Sequence, residues 1–359
     1  MRTDIIFMTT PKINYGPLEA LFKSPDVTEI MINSWDRIFV EHKGMIVETS
    51  LKFEDEKAFN FLVGRILDTV CAGTNQFTFD GSLPEGYRFN VTLPPITPNS
   101  STLTIRKFAT KTFSLDDLID KNSLSDKAAI FLKEAINKKL TIVVSGGTGT
   151  GKTSFLNTLS SYISPNERVV SIEDTQELRP THPNWIHMLT SKQIDFKYST
   201  RDCLMNSLRM RPDRIIIGEC RGPEAYDFLQ AINTGHEGSM TSIHANSAID
   251  CLSRLENLVT LGHAEIPLKY LRSQMANGID LIVQLRRNSD GQRQIVDIIE
   301  LTGMENDTIT RGTIFTLDKN SNILETTGYV PDCLRRLQGT NSNINSNFFE
   351  IPPKVGQAS

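Results

Sequence analysis

Residues 140–154 read Leu-Thr-Ile-Val-Val-Ser-Gly-Gly-Thr-Gly-Thr-Gly-Lys-Thr-Ser. The run Leu140–Ser145 is strand-sized and rich in β-branched residues. Gly146–Thr153 fits G-x-x-x-x-G-K-[ST], and a helical pattern follows to about Tyr162. Strand, glycine-rich loop and helix in that order make a phosphate-binding loop. Glycines are needed because the backbone must turn tightly and aim several N–H groups at phosphate oxygens. The following helix adds the partial positive charge of its N-terminus. The candidate nucleotide contacts are therefore Gly147, Thr148, Gly149, Thr150, Gly151, Lys152, Thr153 and Ser154. Lys152 is expected to reach the β- and γ-phosphates, and Thr153 to place its hydroxyl on Mg²⁺.

Moving outward, strands and helices alternate in the α/β manner. The apolar strand Arg214–Gly218 ends at Glu219, which can hold the Mg²⁺ shell through water. Strand Arg168–Ile172 runs into Glu173-Asp174-Thr175-Gln176-Glu177. Three carboxylates just past a strand can polarise an attacking water, and spacing leaves open whether Glu173 or Glu177 does so. Strand Ser239–His244 ends in a histidine that can sense the γ-phosphate, and His236 lies eight residues earlier. Arginines occur at 209, 211, 221 and 254, and at Arg88 and Arg106 near the start of the chain. A planar guanidinium suits phosphate charge in a transition state.

The length of 359 residues suggests two domains. We expect a flexible N-terminus over 1–14, a small α+β domain over 15–108 and a linker over 109–125. The ATPase domain should cover 126–337. The Asn-, Ser- and Pro-rich stretch 338–359 reads as a disordered tail. A formal net charge of −4 argues against a broad nucleic-acid surface, so no direct nucleic-acid contact is expected. Five scattered cysteines without a C-x-x-C pair read as reduced thiols. No run approaches the roughly 20 apolar residues that span a bilayer, so a cytoplasmic location is expected.

The motifs taken together resemble the type II/type IV secretion ATPase superfamily. They are the phosphate loop, Ser171-Ile172-Glu173-Asp174, Leu208-Arg209-Met210-Arg211-Pro212-Asp213-Arg214 through Gly218-Glu219-Cys220-Arg221, Thr234-Gly235-His236-Glu237-Gly238-Ser239, and His244-Ala245-Asn246. Phe79-Asp80-Gly81, Leu83–Asn90 and Leu103–Phe108 look most like the tight-adherence (Flp) pilus branch, the CpaF/TadA type. The resemblance implies a RecA-like ATPase domain behind a smaller N-terminal domain, working as a homo-hexamer with ATP and Mg²⁺. It implies nucleotide between the domains, with Arg88 and Arg106 reaching the γ-phosphate. It carries catalytic roles to Glu173, Glu177, Glu219 and His244, and implies an inner-membrane secretion or pilus platform as partner. A conjugation or type IV secretion ATPase is the alternative within the superfamily, and a RecA-like nucleic-acid-translocating motor the alternative outside it.

Overall fold

In the computed structural model, which describes residues 13–68, 76–107, 112–193, 196–288, 290–318, 321–338 and 344–351, the chain divides into units 1–111 and 112–359. Expectations placed on residues 1–12, 109–111, 339–343 and 352–359, and on Cys71, lie outside the described residues.

In the first unit, helix α1 (Glu19–Lys23) precedes strands β1 (Val27–Ser34), β2 (Arg37–His42) and β3 (Met45–Glu48). Helix α2 (Glu56–Leu67) precedes β4 (Thr78–Ser82), β5 (Arg88–Thr92) and β6 (Thr102–Arg106). The strands form one antiparallel sheet in the order β3-β2-β1-β6-β5-β4. Alternation puts Ile30, Ile32, Ile38, Val40, Phe89, Val91, Leu103 and Ile105 on the buried side. There they join Phe59, Leu62, Val63 and Ile66 of α2 in one core. Asp55 caps α2 by accepting from Ala58 N. Local propensity alone does not mark β4 as a strand, because Asp80, Gly81 and Ser82 are turn-like residues. Its pairing with β5 supplies what local propensity lacks.

The second unit opens with α3 (Leu115–Asp120) and α4 (Asp126–Asn137). Strand β7 (Ile142–Gly146) then leads into α5 (Lys152–Ser160), followed by β8 (Val169–Glu173), β9 (Trp185–Leu189), β10 (Ser191–Gln193) and β11 (Phe196–Tyr198). Next come α6 (Thr200–Ser207), β12 (Arg214–Ile217), α7 (Glu224–Ile232), β13 (Met240–Ile243), α8 (Ala248–Thr260) and α9 (Leu268–Gly278). The chain continues with β14 (Leu281–Arg287), β15 (Arg293–Glu305), β16 (Thr308–Leu317), β17 (Leu324–Thr326) and α10 (Leu334–Leu337). A nine-stranded sheet has the order β17-β16-β15-β14-β7-β13-β12-β8-β9. From β14 to β9 neighbours run parallel, and from β14 to β17 they run antiparallel.

Every residue of β7, β8, β12 and β13 is buried. Strands buried along their whole length belong to a parallel sheet covered on both faces. Alternate residues feed opposite cores: Ile142 and Val144 pack in one, Val143 in the other. The fold is thus α/β, a P-loop domain behind a smaller α+β unit.

Within the stretch 109–125, expected as a linker that ends in a helix start, α3 forms at Leu115–Asp120. Ser114 and Asp117 form a capping box, and Leu115 is buried. The stretch from 338 is not disordered throughout. Ile344 and Phe349 are buried, and Phe349 meets Phe131 edge-on at 6.0 Å. Lys127 Nζ donates to Phe348 O at 3.1 Å. Low-complexity composition hid a few spaced apolar residues that find a groove.

Candidate functional site

Parallel pairing delivers the ends of β7, β8, β12 and β13 to one edge of the sheet, where α/β folds bind ligands. The loop after β7 carries Gly149 at φ 73 and Gly151 at φ 91, left-handed values that favour glycine. Gly151 is the N-cap of α5. Thr150 Oγ1 donates to Gly147 O at 2.9 Å and closes the turn. The buried Lys152 donates from Nζ to the same carbonyl at 2.9 Å. Thr153 and Ser154 follow, half-buried, on the first turn of α5. Thr148 is exposed at the loop's crest.

His244 stands between the two motifs that matter most. Its Nε2 lies 3.2 Å from Lys152 Nζ and 2.8 Å from Glu219 Oε1. Burial and the Lys152 ammonium hold its pKa below the usual histidine value, with Glu219 pulling the other way. The imidazole is therefore biased toward neutral. A neutral Nε2 either accepts from the ammonium or donates to the carboxylate, so the two contacts compete.

The acidic loop joins the same cluster through Arg221. Its NH2 donates to Glu219 Oε2 at 2.5 Å and its NH1 to Asp174 Oδ2 at 3.1 Å. The Glu219 bond chiefly raises its pKa, and the charges of Asp174 and Glu177 act in the same sense. Asp174 also accepts from Thr190 Oγ1 at 2.7 Å. Glu173 is buried, and its Oε1 accepts from Glu177 N and Leu178 N at 3.0 Å each. Gly218 makes room for it, because a Cβ there would lie 3.1 Å from Glu173 Cγ. Glu177 is half-exposed.

The second unit thus brings together the loop, Lys152, His244, Glu219, Arg221 and Asp174. His236 is not among them: its Nδ1 lies 3.2 Å from Ala231 O, turned back on the end of α7. Arg88 and Arg106 belong to the first unit. There they face each other across β5 and β6, and Arg106 lies 3.7 Å from Glu29. From the sequence Arg221 is one of several arginines suited to phosphate charge; its grip on Glu219 and Asp174 depends on β8 and β12 lying side by side.

A family model described as Type II/IV secretion system protein matches residues 12–321. The chain belongs to this family. Among relatives of this secretion-family chain, the conjugal transfer protein TrbB of Rhizobium radiobacter is 34% identical over 286 residues, covering 78% of this chain and 85% of TrbB. The type IV secretion system protein VirB11 of Bartonella quintana is 28% identical over 323 residues, covering 79% of this chain and 90% of VirB11. The crystal structure of the pilus retraction motor PilT with bound ADP matches at a TM-score of 0.56 and 22% identity, over 75% of this chain and 78% of PilT. That likeness is one of fold. Family membership and an intact phosphate loop make the secretion-family chain a P-loop ATPase. The tight-adherence branch is not singled out by these relatives.

Proposed function

We propose that this chain is the ATP-hydrolysing motor of a membrane-spanning secretion or pilus-assembly apparatus, working as a homo-hexamer on the cytoplasmic face of the inner membrane. The observation that carries the reading is the Lys152–His244–Glu219 contact, which joins the phosphate loop to the carboxylate expected at the metal. ATP is the substrate. Its phosphates would lie on the N–H groups of Gly149–Thr153, with Ser154 beside them at the N-terminus of α5. Thr153 and Glu219 offer hard oxygen donors, which fit Mg²⁺ shared with phosphate oxygens. When bound, Mg²⁺ neutralises charge that builds on the phosphates.

Lys152 drawn onto the phosphates releases His244 Nε2 to donate to Glu219, so occupancy of the loop is read at the metal carboxylate. Glu177 orients the attacking water, and Glu173 shapes the loop that presents it. Arg221 keeps Asp174 and Glu219 together beside the loop. Arg88 and Arg106, side by side on one strand pair, are proposed to meet the γ-phosphate and couple its presence to movement of the first unit. No helix among the described residues is long and apolar enough to cross a membrane. An inner-membrane platform protein is the proposed partner.

The test is steady-state phosphate release, paired with native mass measurement with and without a non-hydrolysable ATP analogue. Turnover by a hexamer supports the reading. Lys152→Ala should lower kcat at least about a hundredfold, as loss of a central charge stabiliser does. Arg106→Ala should lower kcat more than nucleotide affinity, and equal loss of both would count against a transition-state role. No turnover by the wild type in any assembly state would sink the proposal.

Two branches remain within it. Identity of 34% to TrbB favours conjugation or type IV secretion. The Phe79-Asp80-Gly81 and Leu83–Asn90 segments favour the tight-adherence pilus branch. Genes beside this one, encoding either conjugation channel parts or pilins, distinguish the two. Stimulation of turnover by DNA would instead point to a nucleic-acid motor.

A further inference from the structure

The end of the β14–β15 hairpin lies against the phosphate loop. β14 pairs in parallel with β7, and Leu285 sits opposite Gly146, so β14 runs on past the loop's root. Arg287 and Arg293 face each other on the last rung of the β14–β15 ladder. Arg293 Nε donates to Gly149 O at 3.1 Å. The same side chain passes Gly151, where an added Cβ would lie 3.2 Å from Arg293 Cδ. A Cβ on Gly149 would lie 3.3 Å from Arg287 NH1. Both guanidinium side chains therefore flank the two left-handed glycines of the loop.

Peptide geometry gives this contact a consequence. The oxygen of Gly149 and the N–H of Thr150 belong to one planar trans peptide and point in opposite directions. Holding the oxygen on the outer side aims the N–H toward the phosphates. Glycine peptides rotate with little steric resistance, so a loop built from them needs its carbonyls held if its donors are to stay aimed. Gly147 O is held by Thr150 and Lys152. Gly149 O is held by Arg293, from an element more than 140 residues further along the chain.

We infer that Arg293 is a positioning residue for the nucleotide: it pins the Gly149–Thr150 peptide so that the loop is formed before the phosphates arrive. Arg287 beside it adds cationic field for a polyanionic ligand. The inference rests on the proposed ATPase reading, and it assigns the hairpin a part in nucleotide affinity rather than in the chemical step. Pre-formed donors lower the ordering cost of binding ADP and ATP alike, since both place a β-phosphate on the loop.

The experiment uses the full chain as wild type, Arg293→Ala, Arg293→Gln, Arg293→Lys, Arg287→Ala and Lys152→Ala. Three quantities are read: kcat and KM for ATP, Kd for a fluorescent ADP, and the nucleotide-free thermal midpoint. Arg293→Ala should raise KM and the ADP Kd together by about tenfold, the size of one charge-assisted hydrogen bond. Its kcat should stay within about threefold, because the contact is the same in ground and transition states. Arg293→Lys keeps a charged donor and should recover most of the affinity. Arg287→Ala should weaken ADP binding less, and the deficit should fade as salt rises. Unchanged ADP affinity in Arg293→Ala, or a fall in kcat without a change in affinity, would overturn the inference. Should Arg293→Ala fail to fold, Arg293→Gln decides by the same ADP measurement. A wild type that binds ADP but does not turn over would refute the ATPase reading while leaving the ADP series to judge this one.

Discussion

Glu173 Oε1 accepts two backbone N–H groups, from Glu177 and Leu178, while Glu177 sits half-exposed at the end of the loop so formed. The two residues are four apart in one acidic run, and spacing could not separate them. Burial and hydrogen bonding give them different surroundings, and on the proposed reading the water belongs to Glu177. Glu177→Gln should lower kcat by about two orders of magnitude or more, as loss of a water-orienting base does, with the thermal midpoint kept. Glu173→Ala should lower the midpoint by several degrees, because a buried and a part-buried N–H group lose their acceptor. Thermal melting beside phosphate release checks both, and identical behaviour of the two variants would refute the division of labour. His244 was legible as a polar residue at the end of a core strand. Its place between Lys152 and Glu219 was not, because the three lie on different elements.

At the scale of elements, β12 is anchored at its start by an arginine with no exposure at all. Arg214 Nε and NH2 grip the Glu167 carboxylate at 2.8 and 2.9 Å, and NH2 also donates to Ile136 O at 2.7 Å. The contacts tie the start of β12 to the approach to β8 and to the end of α4. Burial pushes the Glu167 carboxyl up, but Arg214 and then Lys139 outweigh it and hold the pKa below the ordinary 4.5. A depressed carboxyl contributes stability that is whole above its unfolded value and is lost as pH falls through the folded one. The pair should therefore support the fold at neutral pH and fail progressively below about pH 4.5. Glu167→Gln should cost about 3 kcal/mol at pH 7, since it strands a buried guanidinium. Its stability should then fall less steeply with acid than that of the wild type. Urea unfolding at a series of pH values reads both effects, and parallel acid limbs would contradict them. Arg214 was legible only as one basic residue in a motif. Its burial follows from the sheet order.

At the scale of the whole chain, the C-terminal stretch closes the second unit. Glu300, buried on β15, accepts from Asp332 N and Cys333 N and from the Tyr329 hydroxyl, at 2.8, 2.6 and 3.1 Å. Further on, Phe349 is fully buried against Phe131 and the α4 core. Phe349→Ala should cost about 3–5 kcal/mol, the range for emptying a buried aromatic site. Chemical denaturation measures it, and a loss under about 1 kcal/mol would mean the segment only rests on the surface. Composition pointed the other way, because Asn and Ser dilute the few apolar residues over that stretch. A composition average carries no information about whether Ile344 and Phe349, five residues apart, find one core.

The α/β class, the phosphate loop and the order of the motifs that end the core strands were readable from residues 140–246. Each is a local pattern: a strand-length apolar run, a glycine spacing, a polar residue at a strand end. The contacts that turn those motifs into a site were decided by the tertiary structure alone. Lys152 meets His244 across 92 residues, Arg221 reaches Asp174 across 47, and Arg293 holds Gly149 across 144. The reason is that side-chain periodicity reports only which face a residue occupies. Which strand lies beside which is set by how the helices pack over both faces of the sheet, and no short window of sequence contains that choice.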